Sequence, residues 1–451
     1  VKAGTVTAAS EVSRGGERGP QWTLAVALEC ARPTAPPARR ALAEVDRVEI
    51  GRGDARAFLR RGRELRIDLP DPVASQCHAQ LIRAADGWLV EDAGSKNGTR
   101  VNGGRIARAA LADGDVVECG GTFLVLRRAD GPITDLDAPA GCTDLLRTIS
   151  PAFERELAIL PRIARSRVPV LVRGASGTGK EVAAAAIHER SGRDGPFVPV
   201  NCGAIPASLI ESELFGVRRG AFSGAEDRPG LVRGAAGGTL FLDEIAELPA
   251  ASQTALLRFL QDGEILPLGA GKRAVVDARV VAATHQPIEA LVADGRFRHD
   301  LHARLLGYEL HLPPLRARIE DLGLLCASLL ARLAPPGRAP VLSRGAARAL
   351  FAHAWPMQIR ELEHVLEAAL ATAQGPELRA SDLRLTADAN PPAARDAASD
   401  GPGASDERSR ILAALDACAG NQTRAARALG ISRSTLIQKI RLHQVPRPRG
   451  R

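Results

Sequence analysis

The sequence predicts a multidomain chain in which a β-sandwich, an α/β domain with a parallel sheet and a helical lid, and a small all-α unit follow one another. Three observations predict it. Residues 25–128 break into short strand-forming runs separated by turns, the rhythm of a sandwich. Residues 145–315 alternate helical stretches with buried strand runs before 316–386 turn helical, the pattern of a parallel sheet with helices appended. Between these regions, 129–144 and 387–405 hold few or no large apolar side chains and read as linkers.

The chain has 451 residues, too many for one ordinary core, and 45% hydrophobic with 25% charged residues is the composition of a globular protein. The net charge of +8 is a weak pointer to nucleic acid, but its distribution is a stronger one: from Ala417 to Arg451 there are eight Lys or Arg and no Asp or Glu. Seven cysteines are scattered without a C-x-x-C spacing, which argues against a zinc site or a disulfide framework. No apolar run reaches the roughly 18 to 20 residues that cross a bilayer, so the expectation is a soluble, cytoplasmic protein with no membrane partner.

Residues 1–24 lack periodicity and read as a flexible tail. The expected sandwich strands are Trp22–Leu28, Val45–Ile50, Leu65–Leu69, Ala79–Arg83, Gly87–Glu91, Val116–Cys119 and Thr122–Leu126. In the α/β region a strand at Val168–Val172 runs into Gly174-Ala175-Ser176-Gly177-Thr178-Gly179-Lys180 and then an Ala-rich helix. This strand-loop-helix order is that of a phosphate-binding loop: glycines let backbone N–H groups curl around phosphate, the helix N-terminus adds its dipole, and Lys180 neutralises the outer phosphate oxygens. Glu181 follows the lysine where a magnesium-binding hydroxyl usually stands. About sixty residues on, an apolar strand ends in Asp243-Glu244. Asp243 is placed to hold Mg2+ partly through water, and Glu244 to polarise the water that attacks ATP.

Motif after motif, residues 146–385 resemble the AAA+ domain of sigma-54-dependent activators: Asn201 to Pro206, Glu211 to Gly216, Phe297 to Leu301, Leu312 to Arg316, and Trp355-Pro356 with Arg360-Glu361-Leu362, in that order. The resemblance implies that Asn201 senses the γ-phosphate through Glu244, that Thr284 is a first sensor, and that Arg360 is a second sensor reaching nucleotide from the lid. It also implies that Arg298 and Arg304 are arginine fingers for the neighbouring subunit of a ring, hence a homo-oligomer between dimer and hexamer. Gly220-Ala221-Phe222-Ser223-Gly224-Ala225 resembles the loop by which this family grips the sigma-54 RNA polymerase holoenzyme, with Ser for the usual Thr. Ala175, His285 and Met357-Gln358 also depart from the family's usual Glu, Asn and Gly-Asn, without removing a phosphate-contacting or water-activating group. A remodeller of another client is a rival reading that the Phe222 loop opposes. A repressor that occupies DNA without turnover is another, opposed by the presence of Glu244, Arg298 and Arg304.

Residues 406–451 read as three short helices with Asn421 capping the second. Asn421, Thr423, Arg433, Thr435, Gln438, Lys439 and Arg441 are the candidate contacts to double-stranded DNA. The segment resembles the Fis-type helix-turn-helix, which implies binding as pairs to upstream inverted repeats. At the other end, Gly51-Arg52, Ser75 to His78, Ser95 to Thr99 and Asn102 resemble the forkhead-associated (FHA) domain. That resemblance implies recognition of a phosphothreonine protein or its kinase through Arg52, Ser75, Lys96 and Asn97.

Overall fold

Apolar runs in the first 130 residues settle into two face-to-face sheets. The structure, a computed structural model, describes residues 21–138, 146–221, 225–335 and 339–385, together with 414, 415, 418, 424 and 425. It divides into two compact units, Val1–Ala394 and Arg395–Arg451.

One sheet of the sandwich has seven strands, in the order Leu136–Asp137, Ala38–Ala41, Gln21–Glu29, Thr122–Ala129, Val116–Cys119, Thr99–Val101 and Gly104–Ile106. The other has six, in the order Arg108–Leu111, Gly87–Asp92, Ala79–Ala84, Arg47–Arg52, Glu64–Leu69 and Ala57–Arg61. Leu24, Val26, Leu124 and Leu126 point between the sheets, with Trp88, Val90, Ile50 and Ile67 opposite. Their chain neighbours Ala27, Phe123 and Val125 point the other way, as a two-residue strand period requires, and are also buried. Strands apolar on both faces need cover on both.

Two expected boundaries move. The tail expected at 1–24 gives way at Gln21, because Gln21 to Leu24 pair with Ala129 to Leu126 across the antiparallel ladder. Within the expected linker 129–144, Leu136–Asp137 pairs with Arg39 and Ala38 as a short edge strand.

The second sheet is five-stranded and all parallel, in the order Phe197–Asn201, Thr239–Asp243, Arg279–Thr284, Val170–Arg173 and Tyr308–His311. The strand expected at Val168–Val172 starts later, at Val170, and the strand beside it opens at Arg279. Val168 stays exposed ahead of Pro169, and the Val276 amide instead bonds the Gly263 carbonyl at 2.8 Å. Registry aligns Asn201 with Asp243 and Arg173 with Thr284, so the carboxyl ends of four strands meet along one rim. Ligands of open α/β sheets bind at such rims.

The lid comprises a tight helical segment Leu315–Asp321 and the helices Leu322–Leu333, Arg344–Ala352 and Gln358–Thr372. Its centre is Trp355, fully buried, whose indole N–H donates to the Leu350 carbonyl at 3.0 Å. The lid core and the outer face of the sandwich form one hydrophobic cluster, in which Phe123 stacks on Phe351 with ring centroids 5.1 Å apart. No helix among the described residues is long and apolar enough to cross a membrane. In the second unit, Leu415 and Ala425 are buried.

Gly51 is the tightest backbone approach in the sandwich, since a Cβ there would lie 1.8 Å from the Gln76 carbonyl oxygen. We expect Gly51→Ala to lower the thermal midpoint of the chain, at a cost of about 1–3 kcal/mol typical of forced overpacking. An unchanged midpoint would show that this approach is not a constraint.

Candidate functional site

The strand Val170–Arg173 delivers the chain into the loop Gly174 to Gly179, and helix Lys180–Glu189 starts immediately after it. Gly177 and Gly179 sit at φ +81° and +98°, the left-handed region open to glycine. Thr178 ties the loop on itself, donating from its hydroxyl to the Ala175 carbonyl at 2.8 Å. Ser176 and Glu181 lie on the rim of this turn and on the first turn of the helix.

Lys180 is buried, and its Nζ lies 3.3 Å from the Gly174 carbonyl and 3.4 Å from Glu244 Oε1. These are long contacts for a buried ammonium, whose desolvation asks for a stronger anionic partner. Asp243 ends strand Thr239–Asp243, and burial raises its carboxyl above the ordinary range, with Lys180 acting in the opposite sense. A half-buried carboxylate with that environment, beside Glu244, is an oxygen donor set that fits Mg2+. Glu244 itself has φ +51°, a strained backbone for a residue with a side chain, with its amide donating to Asp243 Oδ1 at 3.0 Å.

The expected partner of Glu244 was Asn201, but the structure couples it to His285 instead. The Glu244 Oε2 to His285 Nδ1 distance is 2.7 Å, while Asn201 Oδ1 accepts from the Gly203 and Ala204 amides at 3.0 and 3.2 Å. Thr284, fully buried at the end of its strand, accepts from the Gln286 amide at 3.0 Å and its carbonyl lies 3.4 Å from the Gly174 amide. Sequence reasoning gave His285 no role, although its position next to Thr284 was the available signal.

The lid rests directly on the phosphate loop. The Ile359 amide donates to the Gly177 carbonyl at 3.0 Å, and a Cβ on Gly177 would meet the Met357 carbonyl at 2.2 Å and Arg360 Cβ at 3.2 Å. Arg360 is thereby set beside the loop with an exposed side chain. Arg318, also missed from sequence, reaches from the lid toward the Thr178 carbonyl at 3.5 Å while lying over the Phe153 ring. Arg298 and Arg304 are not brought to this site. Arg298 forms a fork with Asp300 at 3.0 and 2.7 Å, and Arg304 donates to the Leu260 carbonyl at 3.1 Å, both side chains being exposed.

Of the segment Gly220 to Ala225, the described residues are Gly220, at φ +89°, Ala221 and the buried Ala225. Asp227 closes its base, accepting from Arg218 at 3.0 Å and from the Arg219 amide at 2.6 Å. Phe222, Ser223 and Gly224 lie outside the described residues, as do Asn421, Thr423, Arg433, Thr435, Gln438, Lys439 and Arg441.

At one end of the sandwich three loops converge. The Arg52 amide donates to the Ser75 carbonyl at 2.9 Å, the Lys96 amide to Ser75 Oγ at 3.1 Å, and Asn97 Nδ2 to the Val73 carbonyl at 2.7 Å. The exposed Arg52 and Lys96 side chains thus flank a serine hydroxyl, a donor set suited to a phosphate. His78, fully buried beneath, accepts from the Ser75 amide at Nδ1 over 3.0 Å, and burial holds its pKa below the usual 6.5.

Known families match four stretches of the chain. The sigma-54 interaction domain matches residues 146–311, the AAA+ ATPase lid domain 316–400, the FHA domain 48–120, and the Fis family of bacterial regulatory proteins 405–442. The response regulator protein PilR of Pseudomonas aeruginosa is 43% identical over 303 residues, 62% of this chain and 65% of its own. The transcriptional regulatory protein ZraR of Escherichia coli O157:H7 is 40% identical over 314 residues, 68% of this chain and 71% of its own. Across the first relatives the match spans about three fifths to two thirds of their length. Among solved structures, NtrX of Brucella abortus in complex with ATP is 32% identical, covering 66% of this chain and 69% of that one with a TM-score of 0.48.

The depressed His78 pKa carries a pH dependence whose sign follows from proton linkage. The unfolded chain binds a proton below about pH 6.5 more readily than the folded one, so His78 costs stability as pH falls through and below that value. Comparing thermal midpoints at pH 7.5 and 5.5, the chain should lose stability relative to a His78→Asn variant, and a gap independent of pH would contradict the assignment.

Proposed function

We infer function from membership, since this chain belongs to the family of sigma-54-dependent transcriptional activators. The reading is that it binds DNA upstream of sigma-54 promoters through residues 406–451 and hydrolyses ATP in an oligomeric ring. The work of hydrolysis is spent on the closed complex of the sigma-54 RNA polymerase holoenzyme, through the loop around Phe222. The observation that carries this reading is that one domain, residues 146–311, contains both the phosphate loop with Asp243-Glu244 and the Gly220 to Ala225 loop.

The chemistry follows from the residues. Lys180, held by two long contacts, is free to exchange them for the β and γ oxygens of ATP. That exchange removes one of the two partners of Glu244, leaving its carboxylate on His285 and at hand to accept a proton from the attacking water. Mg2+, held by Asp243, supplies neutralisation of phosphate charge when bound. Arg360 enters from the lid. Arg298 and Arg304, exposed and bonded away from the phosphate loop, are proposed to complete the nucleotide site of a neighbouring copy, where such an arginine contributes roughly 10³ to 10⁵ in rate. A ring is thereby required for turnover.

The sandwich loops with Arg52, Ser75, Lys96 and Asn97 are proposed to bind a phosphothreonine presented by a protein or kinase, with the guanidinium and hydroxyl on phosphate and Asn97 on the peptide backbone.

The assignments separate in reconstituted sigma-54 transcription with ATP. Lys180→Ala should lose nucleotide binding, and Glu244→Gln should bind ATP with turnover reduced at least about a hundredfold, as expected for loss of a general base. Phe222→Ala should keep ATP turnover and lose promoter opening. Normal turnover in Glu244→Gln, or normal open-complex yield in Phe222→Ala, would each refute the corresponding role. Arg52→Ala should lose phosphothreonine peptide binding without loss of ATP turnover measured in the absence of peptide.

A further inference from the structure

The sandwich meets both halves of the nucleotide site. On the lid side, Phe123 stacks on Phe351, Glu118 accepts a fork from Arg348 at 2.6 and 2.8 Å, and Arg127 pairs with the fully buried Glu320 at 3.0 Å. Helix Leu322–Leu333 packs so closely that a Cβ on Gly323 would lie 1.7 Å from the Ala27 carbonyl oxygen. On the side of the parallel sheet, the buried Arg39 donates to the Ile149 carbonyl at 2.9 Å and to Glu154 at 2.7 Å. The helix that carries Glu154 contributes Phe153 to the core beneath strand Val170–Arg173.

Magnitudes rank these contacts. Burying apolar side chains as completely as Phe123 and Val125 stabilises more than an ion pair with one part-exposed partner, such as Glu118 with Arg348. Apolar burial therefore holds the sandwich in place and the charges fix its register. Any rotation of the lid against the parallel sheet must break one of the two sets.

A second feature joins this face to the phosphothreonine loops. Asp71 is buried, and its carboxylate accepts from the Val73 amide at 2.9 Å, the Gly121 amide at 2.6 Å and the Thr122 hydroxyl at 3.1 Å. Val73 is the residue whose carbonyl Asn97 holds, and Thr122 directly precedes Phe123. The Gly121 carbonyl bonds the Cys30 amide at 2.8 Å, and the Cys30 carbonyl bonds the lid at the Leu342 amide at 2.9 Å. Hydrogen bonds joined through short stretches of backbone thus run from Asn97 through Asp71 to Leu342 of the lid, and Thr122 leads along its strand to Phe123 and the stack on Phe351.

We propose that the sandwich is a clamp across the hinge between the parallel sheet and the lid, and that Asp71 relays the state of the phosphothreonine loops to the lid and so to nucleotide affinity. The relay rests on the reading of those loops and of the phosphate loop given above, and the clamp rests on packing alone. Asp71 acts through Thr122 and Phe123 as a positioning residue and touches neither ligand.

The test is ADP affinity of the full chain, read by a fluorescent ADP analogue, with folding checked by circular dichroism. Glu118→Arg and Asp71→Asn should each shift the dissociation constant by about fivefold or more, the lower end of measured coupling between sites. Adding Arg348→Glu to Glu118→Arg should restore it, which a merely damaged fold would not do. Dissociation constants within twofold of the parent in both single variants would overturn the clamp.

A pool of phosphothreonine peptides, degenerate at the flanking positions, then tests the relay. Peptide binding that shifts ADP affinity in the parent chain and not in Asp71→Asn supports it, and by linkage ADP must shift peptide affinity by the same factor. Peptide that binds the parent chain and leaves ADP affinity unchanged overturns it. Failure of any peptide to bind overturns the phosphothreonine reading and the relay built on it, while the clamp stands or falls with the variants alone.

Discussion

Burial of both faces of one sheet is the constraint from which the rest of the first unit follows. In strands Gln21–Glu29 and Thr122–Ala129 one set of side chains fills the sandwich and the alternate set, including Phe123 and Val125, fills the lid core. An FHA-type sandwich standing free in water would expose that second set, so the sandwich and the ATPase lid are parts of one body. Since the lid sits on the phosphate loop through the Ile359 amide and the Gly177 carbonyl, the same burial reaches the nucleotide site.

The site depends on two strained or costly features that the sheet rim makes possible. Parallel register brings the ends of four strands together, and there Glu244 takes a left-handed backbone beside a half-buried Asp243. Lys180 is kept from water with only long contacts. Groups left in this state suit a polyanion with its cation, and the proposed exchange of Lys180 from Glu244 to phosphate would change the surroundings of that carboxylate on ligand binding. The 2.7 Å contact with His285 would hold that carboxylate in place during such an exchange.

Much of this was legible in the residues. Gly174 to Lys180 and Asp243-Glu244 announce themselves because phosphate chemistry needs fixed residue types at fixed spacing, and the apolar runs at Trp22–Leu28 and Thr122–Leu126 mark their strands directly. The strands Ala38–Ala41 and Ala57–Arg61 escaped because three of their nine residues are apolar only as alanine and four are arginine, so that their place in the sheet is set by pairing and not by pattern. The bond of His285 to Glu244 and the pairing of Arg127 with Glu320 join residues far apart in sequence, which no local pattern records. The docking of sandwich on lid had a trace in the sequence after all: Phe123 to Leu126 reads as an unbroken apolar run where a strand facing water on one side would alternate.

The claim that sandwich, parallel sheet and lid form one body around the nucleotide is tested most directly by hydrogen exchange of the full chain across a urea titration. Peptides from strand Thr122–Ala129 and from helix Leu322–Leu333 are followed together. One body predicts that both lose protection at the same urea concentration, the mark of a single cooperative transition. Loss of protection in the sandwich at a clearly separate concentration, with the lid still protected, would contradict it.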